Sequence, residues 1–161
     1  MTPSTTRALL VAAAIAVFAT MTVSAQAAEM NHSGSWHSVA SKSSWSNGQD
    51  LSKFSLTINV QFSDNKVVYH SVNDNSPAAN LDFTTSLDGK VSPMLNNARF
   101  NQVAVKKIGP NGLEILEMKD GDVIVGSYWM FSDDGKSFVR RGIGKEASGR
   151  SHEFEEYYDK Q

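Results

Sequence analysis

Apolar and polar residues alternate strictly along one stretch of this chain. From Phe54 to Phe62 every even-numbered residue is apolar and every odd-numbered residue is polar. A period of two places successive side chains on opposite faces of a β-strand. The pattern therefore predicts a strand with one buried face and one face in water.

Other short runs rich in β-branched and aromatic residues are separated by turn-forming pairs. Asn-Gly and Asp-Gly pairs supply the positive φ angles of tight hairpin turns, and the chain has them at Asn47-Gly48, Asp88-Gly89, Asn111-Gly112, Asp120-Gly121 and Asp134-Gly135. We predict further strands near residues 34–40, 66–72, 81–87, 100–108, 112–119, 122–131, 137–144 and 150–158. Residues 41–52 are expected to form one helical turn or a loop lid, and residues 73–80 a polar loop.

This succession of strands and turns predicts an all-β fold. We expect an antiparallel meander closed into a β-barrel of about eight or nine strands, because closure removes exposed sheet edges. A β-sandwich is the alternative. A barrel of about eight strands has an interior that its side chains fill or that holds one small ligand.

The N-terminal segment has the composition of a secretory signal peptide. Arg7 precedes a nearly continuous apolar run over residues 8–22, and Ser24-Ala25-Gln26-Ala27 gives the small-x-small pattern of a cleavage site. We predict a signal peptide over residues 1–27 and one barrel domain over residues 28–161, in the periplasm or secreted. An uncleaved membrane anchor is the alternative, although the apolar run is short for a bilayer.

Composition excludes several classes of protein. The 161 residues include 15 Lys and Arg, 17 Asp and Glu, and no Cys. The absence of Cys excludes disulfides, thiol nucleophiles, zinc–thiolate sites and a lipoprotein anchor. The small negative net charge argues against a nucleic-acid partner. No histidine pair has metal-ligand spacing, and no phosphate-binding or dinucleotide motif is present, so we expect neither metal nor cofactor.

Gly34-Ser35-Trp36 opens the first predicted strand and resembles the Gly-x-Trp motif of lipocalins. The resemblance implies that Trp36 closes the bottom of the barrel beneath an Arg from a late strand. Arg140 or Arg141 would be that partner.

Almost the whole predicted mature chain is similar to a family of small exported bacterial proteins with lipocalin-like domains, most of them uncharacterised. The similarity implies a barrel fold and a periplasmic location, and it transfers no catalytic residue. The family usually has a Thr-rich strand after the Asp-Gly-Lys turn, whereas this chain has Arg140 and Arg141. The matching stretches are Gly34-Ser35-Trp36, Ser41-Lys42-Ser43, Leu87-Asp88-Gly89-Lys90 with Pro93, residues 103–108, Phe131-Ser132-Asp133-Asp134-Gly135-Lys136 and Tyr158-Asp159-Lys160-Gln161.

A few residues are candidates for acid–base chemistry. His152 shares a strand face with Phe154, Glu156 and Tyr158, and His70 lies between Val68 and Val72. If these faces point inward, His70, His152 and Glu156 would exchange protons with a bound molecule near neutral pH. The alternative is that both histidines are hydrogen-bonded or solvated strand residues, because a slip of one residue reverses a strand face.

Aromatic and basic residues are the candidates for ligand binding. Adjacent residues of a strand point to opposite faces, so at most one of the two arginines is expected inside, paired with Glu156, Asp82 or an anionic ligand. An outward aromatic at residue 128 or 129 would suit a partner or a subunit contact, which leaves a homo-oligomer open. The full candidate set is Trp36, Tyr69, Tyr128, Trp129, Arg140, Arg141 and Tyr158.

Three functions agree with these features. The first is a binding module for one small apolar or amphipathic molecule. The second is a cofactor-independent lyase, isomerase or hydrolase that uses His, Glu and Tyr groups in the cavity. The third is an envelope interaction protein with a filled barrel and an aromatic surface patch. A fold alone does not decide among them.

Overall fold

The protein forms an antiparallel barrel in the computed structural model, which describes residues 32–161. The predicted signal peptide lies outside the described residues. Two single-turn 3-10 helices cover Ala40–Lys42 and Pro77–Ala79. The strands are β1 Gly34–Ser38, β2 Ser44–Trp45, β3 Leu56–Ser63, β4 Lys66–Asn73, β5 Asp82–Ser86, β6 Asp88–Pro93, β7 Gln102–Lys107, β8 Gly112–Lys119, β9 Asp122–Phe131, β10 Ser137–Lys145 and β11 Ser151–Lys160.

Ten strands follow one another in a single antiparallel sheet, in the order β5-β4-β3-β1-β11-β10-β9-β8-β7-β6, and β2 pairs with β11 beside this path. The two ends of the sheet, β5 and β6, are joined by Leu87. The side-chain oxygens of Thr85 and Ser92 lie 2.7 Å apart across this junction, and Lys107 donates a backbone hydrogen bond to the Leu87 carbonyl. The barrel is therefore nearly closed, which confirms the all-β lipocalin-like prediction with more strands than expected.

The alternating pattern places the residues of β3 as the sequence predicts. Ile58 and Val60 are buried, whereas Asn59 between them and Gln61 after them are exposed. The same period continues into β4, where Val67 and Tyr69 point inward. Burial of these apolar side chains is the main stabilising contribution to the barrel.

One end of the barrel is filled by stacked aromatic rings, and we call it the closed end. Phe138 stacks on Tyr158 with ring centroids 4.5 Å apart and on Trp129 at 4.7 Å. Trp36 packs edge-on against Phe138 at 5.2 Å. The space between Trp129 and the neighbouring strands has no volume for a water molecule. This half of the barrel is a solid core.

The predicted lipocalin-like closure is made by a different cation. Lys160 Nζ, from the end of β11, lies 5.1 Å from the centre of the Trp36 ring, whereas Arg140 and Arg141 contact other groups. The expectation of an arginine beneath Trp36 is therefore wrong. Gly34 is needed beside this contact, because a Cβ there would lie 2.7 Å from Lys160 Cε and the backbone φ is +147°.

The Asp120-Gly121 and Asp134-Gly135 pairs form predicted hairpin turns, whereas Gly48 lies in a loop and Asp88-Gly89 lies within β6. Gly121 and Gly135 have positive φ angles in hairpin turns, as the Asp-Gly pairs predict. Gly112, in contrast, begins β8, and the left-handed residue of that turn is Gly109. A Cβ at Gly112 would lie 2.6 Å from the Ile108 carbonyl oxygen, so tight packing and not turn geometry requires this glycine.

The other end of the barrel is open and is covered by irregular segments, and we call it the open end. The segment over residues 41–52 contains β2 and a loop beside β11, in partial agreement with the expected lid. The polar loop over residues 73–80 contains the Pro77–Ala79 turn. Within residues 32–161, no helix has the length and apolar character needed to cross a bilayer.

Candidate functional site

A cavity of about 450 Å³ occupies the half of the barrel at the open end. Its wall is formed by inward-facing side chains of β3, β4, β8, β9, β10 and β11, and the covering segments form its mouth. The apolar and aromatic lining includes Trp45, Phe54, Leu56, Tyr69, Leu81, Phe100, Val125 and Phe154. The polar lining includes Gln49, Ser71, Asn73, Asn97, Arg99, Glu117, Arg140, His152 and Glu156.

Three buried charged side chains form the floor of this cavity. Arg140 Nη1 donates a hydrogen bond of 3.1 Å to Glu156 Oε2, and Arg140 Nη2 donates one of 3.3 Å to Glu117 Oε2. The exposed fractions of the side chains are 14% for Arg140, 7% for Glu117 and 4% for Glu156. We call this group the charged floor. It separates the cavity from the aromatic core of the closed end.

Glu156 is fully supplied with hydrogen-bond donors. In addition to Arg140, the Tyr158 hydroxyl donates to Oε2 at 2.8 Å, and Trp45 Nε1 donates to Oε1 at 3.1 Å. Burial, and then the negative charge of Glu156, raise the pKa of Tyr158. Tyr158 therefore stays protonated and acts as a hydrogen-bond donor to the carboxylate.

Glu117 has fewer hydrogen-bond donors around its carboxyl group than Glu156. Its Oε2 accepts one long hydrogen bond from Arg140, and its Oε1 accepts none from the part of the chain that the structure describes. Burial raises the pKa of the Glu117 carboxyl, with a further increase from Glu156, against the opposing charges of Arg140 and Arg99. Glu117 is thus a buried carboxyl group with open acceptor capacity beside the cavity.

Arg140 keeps its charge at this depth. Burial alone would lower the pKa of its guanidinium, but the carboxylates of Glu156 and Glu117 outweigh burial and raise it. The guanidinium carbon also lies 4.8 Å from the centre of the Phe154 ring, in a cation–π contact. Two carboxylates and the ring therefore surround this guanidinium, and its Nε is buried without a hydrogen-bond partner among the described residues.

His152 and Arg99 lie nearer the mouth. The His152 side chain is 12% exposed, packs beside Trp45 with ring centroids 5.6 Å apart, and has Nδ1 3.5 Å from Glu146 Oε1. Arg99 donates a hydrogen bond of 3.0 Å to the Lys145 carbonyl and lies over the Phe100 ring. Partial burial lowers the pKa of Arg99.

The structure brings most of the predicted site residues inside the barrel. His152, Glu156, Tyr69 and Arg140 line the cavity, and Glu156 is the carboxylate partner of the inward arginine as expected. Three further candidates, Trp36, Trp129 and Tyr158, belong to the buried core beneath the charged floor. In this position the three side chains stabilise the core by packing. Their assignment to ligand binding stays a prediction.

Three predicted site residues point outward. The His70 side chain is 48% exposed and pairs with Asp82, because Val67, Tyr69 and Ser71 occupy the inward positions of β4. Arg141 pairs with Glu155 on the outer surface. Tyr128 is exposed beside Ile143 on the same surface. The three side chains therefore lie outside the cavity. This agrees with the expectations of a single inward arginine and of one outward aromatic at residues 128 and 129, and it contradicts an inward His70.

Two important residues were not among the candidates. Glu117 has the same parity in β8 as the buried residues Leu113 and Ile115, so strand periodicity alone places it inside. Trp45 lies in a segment without periodicity, and only its position beside β11 brings it to the cavity. His32, at the start of the described residues, is also buried and stacks on Phe131 with centroids 4.2 Å apart.

Comparison with solved structures agrees with this architecture. The chain is similar to the crystal structure of zebrafish ileal bile acid-binding protein in complex with cholic acid, with a TM-score of 0.53 and 15% sequence identity. The alignment covers 80% of this chain and 98% of that one. No protein-family model matches the chain, and no curated protein shows significant similarity to it.

These findings define the class of the protein. It is an all-β, lipocalin-like barrel with a solid closed end and a cavity at its open end. The structural likeness establishes the fold, and membership of the exported bacterial family stays a prediction from the sequence. Among residues 32–161, no group of three His, Asp or Glu side chains has the arrangement of a metal site.

Proposed function

We propose that this protein binds one small amphipathic molecule in the cavity at the open end of its barrel. The observation that carries the proposal is the unequal filling of the two halves. The closed end is packed without space for water, whereas the open end keeps about 450 Å³. That volume is within the range typical of small-molecule sites.

The lining of the cavity supports an amphipathic ligand. Phe54, Phe100 and Phe154 offer apolar contact area, and the charged floor offers polar contacts at the inner end. Apolar walls with a few fixed polar groups are characteristic of ligand sites. The similar zebrafish structure contains cholic acid, which supports the barrel interior as the site without identifying the ligand of this chain.

Two glycines allow a matched test of the cavity. Gly144 lines the cavity, and a Cβ there would make ordinary contacts with the His152 ring at 3.5 Å and Val125 Cγ2 at 3.6 Å. Gly126 is on the outer surface, where a Cβ would meet Leu116 at 3.6 Å. Gly144→Leu therefore places a side chain in the cavity, and Gly126→Leu adds the same side chain outside.

The binding test uses N-phenyl-1-naphthylamine, a neutral dye whose emission increases in apolar surroundings. We expect saturable binding of one dye per protein, unchanged in Gly126→Leu and at least about tenfold weaker in Gly144→Leu. Circular dichroism spectra and melting curves verify that both variants fold. Equal binding by the two variants, or no saturable binding by the parent protein, would overturn the proposal.

The proposed place of action is the periplasm or the extracellular space. The support is the sequence of residues 1–27, with its single basic residue, apolar run and small-x-small end. Expression of the full chain, cell fractionation and N-terminal sequencing test this proposal. Export with a new N-terminus at residue 28 is expected, and a cytoplasmic protein that starts at Met1 would contradict it.

The alternative function is a cofactor-independent lyase, isomerase or hydrolase. One observation favours it: Glu117 is a cavity-lining carboxyl group whose pKa burial raises, as in general acids and bases. His152 and Glu156 from the original hypothesis also line the cavity, whereas His70 does not. Incubation of the isolated ligand with the protein in D2O tests this function. Deuterium uptake or a new product, lost in Glu117→Gln, would support catalysis, and an unchanged ligand would exclude it.

A further inference from the structure

We propose that the ligand carries a protonated amine and that this amine binds at Glu117 on the charged floor. The inference rests on the proposed function, because it names the chemical class of the molecule in the cavity. The observations behind it are the charge count of the floor and the unequal hydrogen bonding of its two carboxyl groups.

The charged floor contains more acid than base. Glu117 and Glu156 face one guanidinium, that of Arg140. Arg99 is the nearest further cation at the cavity, but its guanidinium contacts the Lys145 carbonyl and the Phe100 ring, and it makes no ion pair with Glu117 in the described structure. An unpaired buried charge is costly, so a second cation in the cavity stabilises the floor.

The hydrogen bonds show which of the two carboxyl groups can accept a bond from a further donor. Glu156 accepts hydrogen bonds from Arg140, Tyr158 and Trp45, which use both of its oxygens. From residues 32–161, Glu117 accepts one, at 3.3 Å, and its second oxygen is left for a donor from the cavity. An ammonium group has three N–H donors and no acceptor, so it matches this oxygen in charge and in hydrogen-bonding type.

The same geometry disfavours a ligand carboxylate at the floor. Two carboxylates and the Phe154 ring already surround Arg140, and its Nε, unpaired within the described part of the chain, is buried, so a third anion would compete with Glu117 and Glu156 for the same guanidinium. A ligand carboxylate would also lie against Glu117, where two acceptors of like charge repel. A ligand hydroxyl group should bind with an affinity between those of an ammonium and a carboxylate group, because it donates one hydrogen bond without adding positive charge.

Burial of the Glu117 carboxyl adds to this argument. Its pKa is raised because the charged form is poorly solvated, with Arg140, Arg99 and Glu156 as the charged groups around it. An ammonium ion beside the carboxylate favours the ionised form and replaces the lost solvation. The amine and the ionised Glu117 therefore stabilise each other in the occupied cavity.

The test compares three probes with the same alkyl chain, octylammonium, octanoate and 1-octanol, by isothermal titration calorimetry at neutral pH. Their shared chain contacts the apolar walls equally, and only the polar end differs. We expect octylammonium to bind about tenfold or more tightly than octanoate, with octanol between them. Octanoate binding as tightly as octylammonium would overturn the proposal.

Two variants test whether Glu117 is the source of the preference for octylammonium. Glu117→Gln keeps the shape and removes the negative charge, and we expect it to abolish the advantage of octylammonium over octanol. Glu114→Gln makes the same change three residues earlier, where the side chain lines an outer groove, and should leave the advantage intact. An advantage that persists in Glu117→Gln would overturn the assignment. The preference for octylammonium is measured on the parent protein without any variant, so the proposal stays testable even if a variant fails to fold.

The outcomes separate this inference from the proposed function. Binding of all three probes without preference for the amine refutes the amine assignment and leaves the ligand cavity intact. Failure of all three probes and of the neutral dye refutes the cavity, and the amine assignment with it.

Discussion

Trp45 Nε1 donates a hydrogen bond to Glu156 Oε1 over 3.1 Å, which connects the short edge strand at the barrel mouth to the charged floor. Trp45 also packs edge-on against Phe54, with centroids 5.7 Å apart. One side chain thus contacts both the apolar wall and the buried carboxylate. A molecule that enters the cavity changes the surroundings of this indole, so its fluorescence is expected to report binding.

Replacement of Trp45 by Phe tests this connection. The ring contact with Phe54 is largely kept, but Glu156 loses one of its three donors. A hydrogen bond to a charged group contributes about 1.5–3 kcal/mol, and we expect the free energy of unfolding to fall by about that amount. Urea denaturation followed by circular dichroism measures it. A change below about 0.5 kcal/mol would show that the hydrogen bond does not stabilise the folded protein.

The adjacent arginines provide a matched pair. Arg140→Met leaves two buried carboxylates without their cation, and we expect a loss of about 3–5 kcal/mol in the free energy of unfolding. Arg141→Met removes an exposed ion pair with Glu155, which contributes about 0–1 kcal/mol. Denaturation of both variants under the same conditions gives the comparison. Equal losses would contradict the inward placement of Arg140.

The raised pKa of Glu117 predicts a pH dependence of stability. Above the ordinary value of 4.5, the unfolded chain has lost this proton while the folded protein still holds it. The contribution of this group to stability therefore falls as the pH rises, by up to about 1.4 kcal/mol per pH unit, until the pH exceeds the pKa of the folded protein.

Glu117→Gln removes that dependence. The difference in unfolding free energy between Glu117→Gln and the parent protein should shift in favour of the variant as the pH increases from 5 upward. Urea denaturation at several pH values measures both series. A difference that is independent of pH would contradict the raised pKa.

Two glycines of β10 respond differently to the same change. A Cβ at Gly142 would lie 2.3 Å from the Gly126 carbonyl oxygen and 2.9 Å from Ser127 Cα, and backbone atoms cannot move aside cheaply. We expect Gly142→Ala to lose about 1–3 kcal/mol or more. Gly144→Ala makes only ordinary contacts, with His152 and Val125, and should be neutral or stabilising by about 0.5–1 kcal/mol. Similar melting temperatures for both variants would contradict this packing.

The sequence predicts much of the barrel, because period-two alternation records which side chains are buried. The alternation around Ile58 and the shared face of His152 and Glu156 are confirmed. His70 shows the limit of the method. It lies among valines on both faces of β4, Val67 inside and Val68 outside, so composition does not reveal which face is buried.

The candidate site was predicted less completely, since it depends on contacts between distant segments. Glu117 and Arg140 meet because β8 and β10 flank β9 and both side chains point inward. No local pattern links them. Lys160 replaces the expected arginine over Trp36 for a similar reason, since the register of β1 against β11 pairs these two residues directly.

Native mass spectrometry of the protein isolated from its own cells, alongside Gly144→Leu isolated in the same way, tests the central claim most directly. The account predicts one discrete added mass of a small molecule on the parent protein, and its absence from the variant with the filled cavity. The added molecule should contain an ionisable amine. The bare protein mass for both chains, or the same added mass on both, would contradict a ligand in the open end of the barrel.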